Sequence, residues 1–128
     1  MTERCEFPNS TLSVGDARRF VAAALEGVDA EVVETVTLLV SEISTNSILH
    51  ARTGFTLECE LGADVVRVAI ADLGSGDPTV RSPAVTDTAG RGLRIVETLS
   101  DSWGIEESDS GRGKTVWFTV GLRAVQPR

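Results

Sequence analysis

The sequence is short of positive charge. Its 128 residues contain 12 Lys and Arg against 19 Asp and Glu, a formal net charge of -7, and Lys114 is the only lysine. Nucleic acids and anionic membranes are polyanionic, so an acidic chain is repelled by both outside any local basic patch. We therefore expect protein or small-molecule partners, with no direct binding of nucleic acid or membrane.

Cysteines and long apolar runs are also scarce. Cys5 and Cys59 stand far apart and fit neither a zinc nor a CxxC redox spacing, so we expect two reduced, buried thiols. No stretch approaches the roughly 20 apolar residues of a membrane span, and the N-terminus lacks the apolar run of a signal peptide. These absences predict a cytoplasmic protein. A chain of this length can bury about two-thirds of its unfolded surface, enough for a single domain, 1–128, without a metal or disulfide.

Apolar periodicity predicts two helices in the first half of the chain. The first opens at Ser13 or Gly15 and stops at Gly27, and the second runs from Asp29 to about His50. Apolar residues of the second helix recur at the 3.6-residue period, which predicts one stripe packed on a core. The residues of this stripe are Val32, Val36, Leu39, Val40 and Ile43.

A period of two predicts strands after Gly54. Residues 55–61 alternate between apolar and polar, and a short connection leads into 65–71, which predicts an antiparallel hairpin. Segment 74–92 carries too many glycines and prolines for a regular element and is too long for an ordinary connection.

The last third of the chain has one more helical pattern, at 93–99, and strand-like stretches at 103–107 and 115–122. In the last stretch Trp117 is apolar as well as its alternating neighbours, so either face can be the inner one. Three helices and four or five mainly antiparallel strands predict an α/β (α+β) fold, a two-layer sandwich with the helices on one face of the sheet.

Polar residues interrupt the apolar stripe of the second helix. On a wheel of 100° per residue, Glu42, Asn46 and His50 follow one line at its border, with Glu42 about 80° and Asn46 about 40° from Val32. Polar groups there are half-buried and need partners. The same E-x-x-x-N pattern also fits a helix-edge ladder with capping contacts.

A second interruption is Asp72, which is in phase with Val68 and Ile70, so a buried strand face ends with a carboxylate. Burial of a carboxylate is costly without hydrogen-bond donors, although a strand-end Asp can also form a turn with its own loop. The glycines that follow, Gly74 and Gly76, permit a close approach to the backbone.

Two further signals involve glycine. Gly90-Arg91-Gly92-Leu93 leads into a helix, whose N-terminal N–H groups favour an anion such as phosphate, although the same glycines fit a tight turn. Gly113-Lys114-Thr115 opens the last strand, which by itself indicates only a strand start.

In this order, the four signals resemble the ATP-binding domain of the GHKL, or Bergerat-fold, family. Residues 39–51 look like its N box, 72–76 like its first glycine box, 90–93 like a shortened second box, and 113–115 like its closing box. Within the family the chain looks most like the small bacterial anti-sigma-factor serine kinases of the RsbW and SpoIIAB type, over about residues 10–122.

The resemblance implies a role for each matching residue. Asn46 is the ligand of a Mg²⁺ ion that bridges the phosphates of ATP or ADP, and Glu42 is the general base. Asp72 accepts the adenine amino group, and Thr115 helps to hold that carboxylate or a bridging water. Room for the base and ribose comes from Gly74 and Gly76, and phosphate contacts come from the backbone near Gly90, Arg91, Gly92 and Leu93. Apart from the resemblance, since no family motif includes it, we expect Arg91 or Arg94 to add positive charge there.

The function implied is that of an ATP-binding anti-sigma factor. It binds a sigma factor and phosphorylates a Ser or Thr of an anti-sigma antagonist of the STAS type, and it forms a homodimer through the sheet edge or first helix. The alternative is a nucleotide-dependent partner-binding regulator without kinase activity. A stand-alone ATP hydrolase or histidine-kinase fragment is disfavoured, because no dimerisation helix with a phosphoacceptor precedes the domain.

Overall fold

The architecture combines one sheet with helices. The computed structural model describes residues 1–72, 94–107 and 113–122, except for the side chains of residues 50 and 51. Its strands are β1 (Thr2–Phe7), β2 (Phe55–Leu61), β3 (Val65–Asp72), β4 (Ser102–Glu107) and β5 (Lys114–Gly121). Its helices are α1 (Leu12–Ala24), α2 (Ala30–Asn46), a π-helical turn (Ser47–Ala51) that continues α2, and α3 (94–99).

The strands form one antiparallel sheet in the order β1-β2-β3-β5-β4. The predicted hairpin is confirmed, since β2 pairs with β3 and places Phe55 opposite Asp72. β5 lies between β3 and β4, so the start of the last strand is next to the end of β3. The predicted α+β fold with a mainly antiparallel sheet is therefore confirmed.

The core lies between one face of the sheet and the helices. The stripe predicted for α2 is buried along its whole length, and the helix contacts both β3 and β5. Buried aliphatic side chains of this kind each contribute about 1.5–3 kcal/mol relative to exposure. The inner sheet face supplies Leu57, Val66, Val68, Ile70, Val116 and Phe118, among others.

The orientation of β5, which the alternation left open, is decided by packing. Val116, Phe118 and Val120 are buried, so Trp117 lies on the outer face of the sheet. A Cβ built on Gly104 in the neighbouring strand would lie 2.8 Å from Trp117 Nε1, so the indole occupies the space that a side chain at Gly104 would need. The Arg67 guanidinium lies 5.1 Å from the centroid of the same ring.

The N-terminal segment forms a strand that the sequence patterns did not predict. Thr2–Phe7 is a full edge strand paired with β2. Neither cysteine forms a disulfide: Cys59 is buried as expected, but Cys5 is only half-buried. Helix α1 ends three residues before Gly27, whose positive φ of 92° fits the predicted stop.

One helical stretch, Ala30–Leu49, passes a membrane-span test by length and mean hydropathy, at 1.2, but it is no continuous apolar run, since it includes Glu31, Glu34 and Glu42. The same stretch contains α2, whose buried residues pack into the core against α1 and the sheet. Its hydropathy is therefore accounted for by the core-facing stripe, since a core helix passes the same test.

Candidate functional site

A cavity lies where the C-terminal end of α2 meets the end of β3 and the start of β5. The space in and in front of it, open solvent included, is about 410 Å³. Its exposed wall is mainly apolar, and its polar side chains include Asn46, Asp72 and Lys114. A mainly apolar cavity with a few convergent polar groups is the usual form of a small-molecule site. The other described residues that line it are Ile43, Ser47, Ile70, Ile105 and Val116.

Asn46 reaches this cavity because it is the last residue of α2, beside the buried Ile43 and Ser47. The π-helical turn begins directly after it, and Arg52 ends that turn in the left-handed conformation, with φ 59°. π-Helical turns are rare and are frequently found at functional sites. Because such a turn rotates less per residue than an α-helix, a wheel of 100° per residue does not apply beyond Asn46.

Asp72 has the position that the strand phase predicted, at the end of the buried face of β3. Its side chain is only 5% exposed, and its Oδ1 accepts a hydrogen bond of 3.2 Å from the backbone N–H of Lys114. Its Oδ2 lies 3.6 Å from the Lys114 ammonium. The carboxylate is thus buried with a donor and a counter-charge, as the cost of burying charge requires.

Glu42 and Thr115 lie less close to the cavity. Glu42 is half-buried one turn before Asn46, but it is not among the described residues of the cavity wall. Thr115 pairs with Ala71 in the sheet, and strand alternation turns its side chain to the face opposite Val116. The described contacts with the Asp72 carboxylate come from Lys114, so the role of Thr115 through a bridging water stays a prediction.

The glycine-box predictions lie outside the described residues. They concern Gly74, Gly76, Gly90, Arg91, Gly92 and Leu93. Arg94, which was expected to add charge, is exposed at the start of α3, and its carbonyl accepts a hydrogen bond from Thr98 Oγ1.

The oxygen atoms at the cavity suit a Mg²⁺ ion that is coordinated mainly by a bound small molecule and by water. Within the part of the chain that the structure describes, no group of three His, Cys, Asp or Glu side chains forms a metal cage. Asn46 supplies a single amide oxygen at the cavity wall. Mg²⁺ keeps several waters and is commonly bound through one or two protein oxygens plus substrate phosphates, so this set fits such an ion.

Sequence reasoning missed one residue of the site, Lys114. Its rarity and its place in the closing Gly-Lys-Thr segment were visible in the sequence. Its contact with Asp72 depends on the pairing of β3 with β5, which sets Thr115 opposite Ala71 and so brings the preceding Lys114 to Asp72. Because β3 and β5 are distant in sequence, a pattern among neighbouring residues does not predict that they pair.

Comparison with known proteins identifies the class of domain. Residues 7–120 match the histidine kinase-like ATPase domain, which is most of the chain, so the chain belongs to that family. Membership makes it a nucleotide-binding ATPase domain and confirms the resemblance drawn from the four motifs. The sequence matches none of the curated proteins compared with it.

Solved structures support the same fold. The chain is similar to the RsbU and RsbW domains of Rv1364c from Mycobacterium tuberculosis, with a TM-score of 0.72 and 18% identity over 94% of this chain and 32% of that one. It spans about a third of that longer protein. It is also similar to the SiaB-SiaC complex from Pseudomonas aeruginosa, with a TM-score of 0.61 and 12% identity over 93% of this chain and 89% of that one. At these identities the likeness concerns the fold.

Proposed function

We propose that this chain is an ATP-binding anti-sigma factor of the serine kinase type. The observation that carries the proposal is the convergence of Asn46 from α2 and Asp72 from β3 on one apolar cavity in a histidine kinase-like ATPase domain. The similarity to a structure that contains an RsbW domain adds support for this branch of the family.

In this proposal the aliphatic wall of the cavity holds the adenine base, and Asp72 accepts a hydrogen bond from its amino group. Asn46 ligates Mg²⁺, which when bound neutralises charge on the phosphates during transfer. Glu42 accepts the proton of the attacking Ser or Thr hydroxyl. The backbone from Gly90 to Leu93 receives the phosphates, and Gly74 and Gly76 leave room for the base and ribose.

The proposed partners are a sigma factor and a STAS-type antagonist whose Ser or Thr receives the γ-phosphate. We further propose a single domain over 1–128, a cytoplasmic location, and a homodimer. The similarity to the structure of a two-protein complex, SiaB-SiaC, supports partner binding in general.

A second function has a specific observation in its favour. Glu42 is not among the described residues that line the cavity, so nucleotide binding has more structural support than phosphate transfer. The second candidate is therefore a nucleotide-dependent regulator that binds its partner without phosphorylating it.

Two measurements test these functions in order. First, a thermal-shift titration with Mg·ADP measures binding, since a ligand that binds only the folded state raises the unfolding temperature. No stabilisation at millimolar Mg·ADP would contradict both functions. Second, incubation with Mg·[γ-³²P]ATP and a candidate antagonist measures transfer, and labelled antagonist identifies the kinase. Binding without label, for an antagonist that forms a complex with the protein, identifies the regulator.

A further inference from the structure

The remaining charged group in the cavity is Lys114. It is the only lysine of the chain, its side chain is 30% exposed, and it lines the cavity beside Asp72. None of the roles assigned above uses its ammonium group. Lys114 is also the one cationic side chain among the described residues of the cavity wall.

The Lys114 ammonium and the Asp72 carboxylate lie close together, at a distance longer than that of a direct hydrogen bond. The Nζ to Oδ2 distance is 3.6 Å, longer than the 2.7–2.9 Å that is typical of a charge-assisted hydrogen bond. The other carboxylate oxygen already accepts a hydrogen bond from the Lys114 backbone. The wall therefore presents an acceptor, Oδ2, and a donor, Nζ, side by side between aliphatic residues.

This pair complements one edge of an aminopurine. In adenine the amino group, a donor, has a ring nitrogen on either side of it, N1 and N7, and both ring nitrogens are acceptors. An acceptor and a donor 3.6 Å apart can therefore contact the amino group and one neighbouring ring nitrogen at once. The faces of the base are then covered by the aliphatic wall, which includes Ile70 and Val116.

We propose that Lys114 is a specificity-determining residue, whose ammonium donates a hydrogen bond to the ring nitrogen next to the amino group that Asp72 accepts. This inference rests on the proposed nucleotide binding and assigns its base recognition to two residues. Asp72 detects the amino group, and Lys114 detects the neighbouring ring acceptor. The two together select 6-aminopurine nucleotides.

The test combines changes in the ligand with changes in the protein. Calorimetry measures the dissociation constants of ADP, 1-deaza-ADP and 7-deaza-ADP, each of the last two having C–H in place of one ring nitrogen. For the wild-type protein we expect one deaza analogue to bind about tenfold more weakly or worse, the effect of losing one hydrogen bond to a charged donor. For Lys114→Met, which keeps a long apolar side chain, ADP and that analogue should bind equally.

The matched control is Arg67→Met, which removes one positive charge from the outer face of the sheet, where Arg67 lies over Trp117. It should leave the preference of the wild-type protein unchanged. The inference is overturned if wild-type protein binds both deaza analogues as tightly as ADP, a measurement that needs no variant to fold. It is also overturned if Lys114→Met keeps the wild-type preference or binds ADP more tightly. Failure of wild-type protein to bind ADP at all would instead overturn the proposed function and this inference with it.

Discussion

Asp72 and Lys114 meet across two neighbouring strands, with the Lys114 backbone N–H 3.2 Å from one carboxylate oxygen and its ammonium 3.6 Å from the other. The contact ties the end of β3 to the start of β5 at the wall of the cavity. It also keeps a charged acceptor, whose side chain is only 5% exposed, in a mainly apolar wall, where the low local dielectric strengthens a hydrogen bond.

Asp72→Asn should weaken ADP binding about tenfold or more while leaving the fold intact. The asparagine can still accept a hydrogen bond from the Lys114 backbone, but it loses the charge that makes the acceptor strong. Calorimetry with Mg·ADP measures the change, and Asp64→Asn, at an exposed turn residue, is the control. Unchanged affinity would remove Asp72 from base recognition.

Asn46→Ala should abolish the magnesium dependence of ATP binding. The protein carries a formal charge of -7, so a triphosphate needs the metal to offset repulsion. In the wild-type protein EDTA should weaken ATP affinity strongly, whereas Asn46→Ala in Mg²⁺ should bind as weakly as wild type in EDTA. The control is Thr45→Ala on the same helix. If Asn46→Ala keeps the full response to Mg²⁺, the metal is held elsewhere.

Glu42→Ala should retain nucleotide binding and lose phosphate transfer. Removal of a general base lowers the rate by about 10²- to 10⁴-fold, whereas Glu42 does not line the described cavity wall. Transfer of ³²P to the antagonist and Mg·ADP affinity are measured on the same preparation. Glu34→Ala, two turns earlier and exposed, should behave as wild type. Persistent transfer in Glu42→Ala would show that another group is the base.

Gly104→Ala should lower the free energy of unfolding by about 1–3 kcal/mol, the usual cost of overpacking. The new methyl group would lie 2.8 Å from Trp117 Nε1, closer than packed atoms tolerate. Denaturant unfolding followed by tryptophan fluorescence measures the loss. At Gly15 in α1 the nearest atoms are 3.6 Å or more away, at the flexible end of Arg19, so Gly15→Ala should gain roughly 0.5–1 kcal/mol. Equal stability of both variants would place Trp117 elsewhere.

The buried thiol of Cys59 predicts that the free energy of unfolding falls at alkaline pH. Burial, and secondarily the charge of Glu3, raises the pKa of Cys59 to about 11 from an ordinary 9.0. A raised pKa means that the folded state holds its proton more firmly than the unfolded chain does. The stability from this group is therefore complete below pH 9 and is lost as pH rises through about 11, to a total of about 3 kcal/mol.

Unfolding of wild type and Cys59→Ala between pH 8 and about 11 checks this prediction, with Cys5→Ala as the control for the half-buried thiol. The Cys59→Ala variant should lose less stability over this interval than the other two proteins. Parallel loss in all three would assign the pH dependence to other groups.

Patterns among residues close in sequence were sufficient to predict much of the fold. The 3.6-residue period located α2 and its buried stripe, and the two-residue period located the β2–β3 hairpin, because each depends only on neighbours along the chain. Edge strand β1 was not predicted as a strand, since its structure depends on pairing with the distant β2.

The candidate site divides in the same way. The phase of Asp72 and the helix position of Asn46 were visible in the sequence, and both residues line the cavity. The wheel of 100° per residue holds only as far as Asn46, because the π-helical turn Ser47–Ala51 follows it. A helical wheel assumes a constant rotation and carries no information on such a turn.

By itself, therefore, the sequence determined the family, the amphipathic elements and the two polar residues that break their apolar faces. Only the tertiary structure decided which face of β5 is buried and that Lys114 lies against Asp72. Both depend on β5 pairing between β3 and β4, a contact between distant segments. The scarcity of positive charge takes on a specific meaning here, because the one lysine of this acidic chain lies in the cavity beside a buried carboxylate.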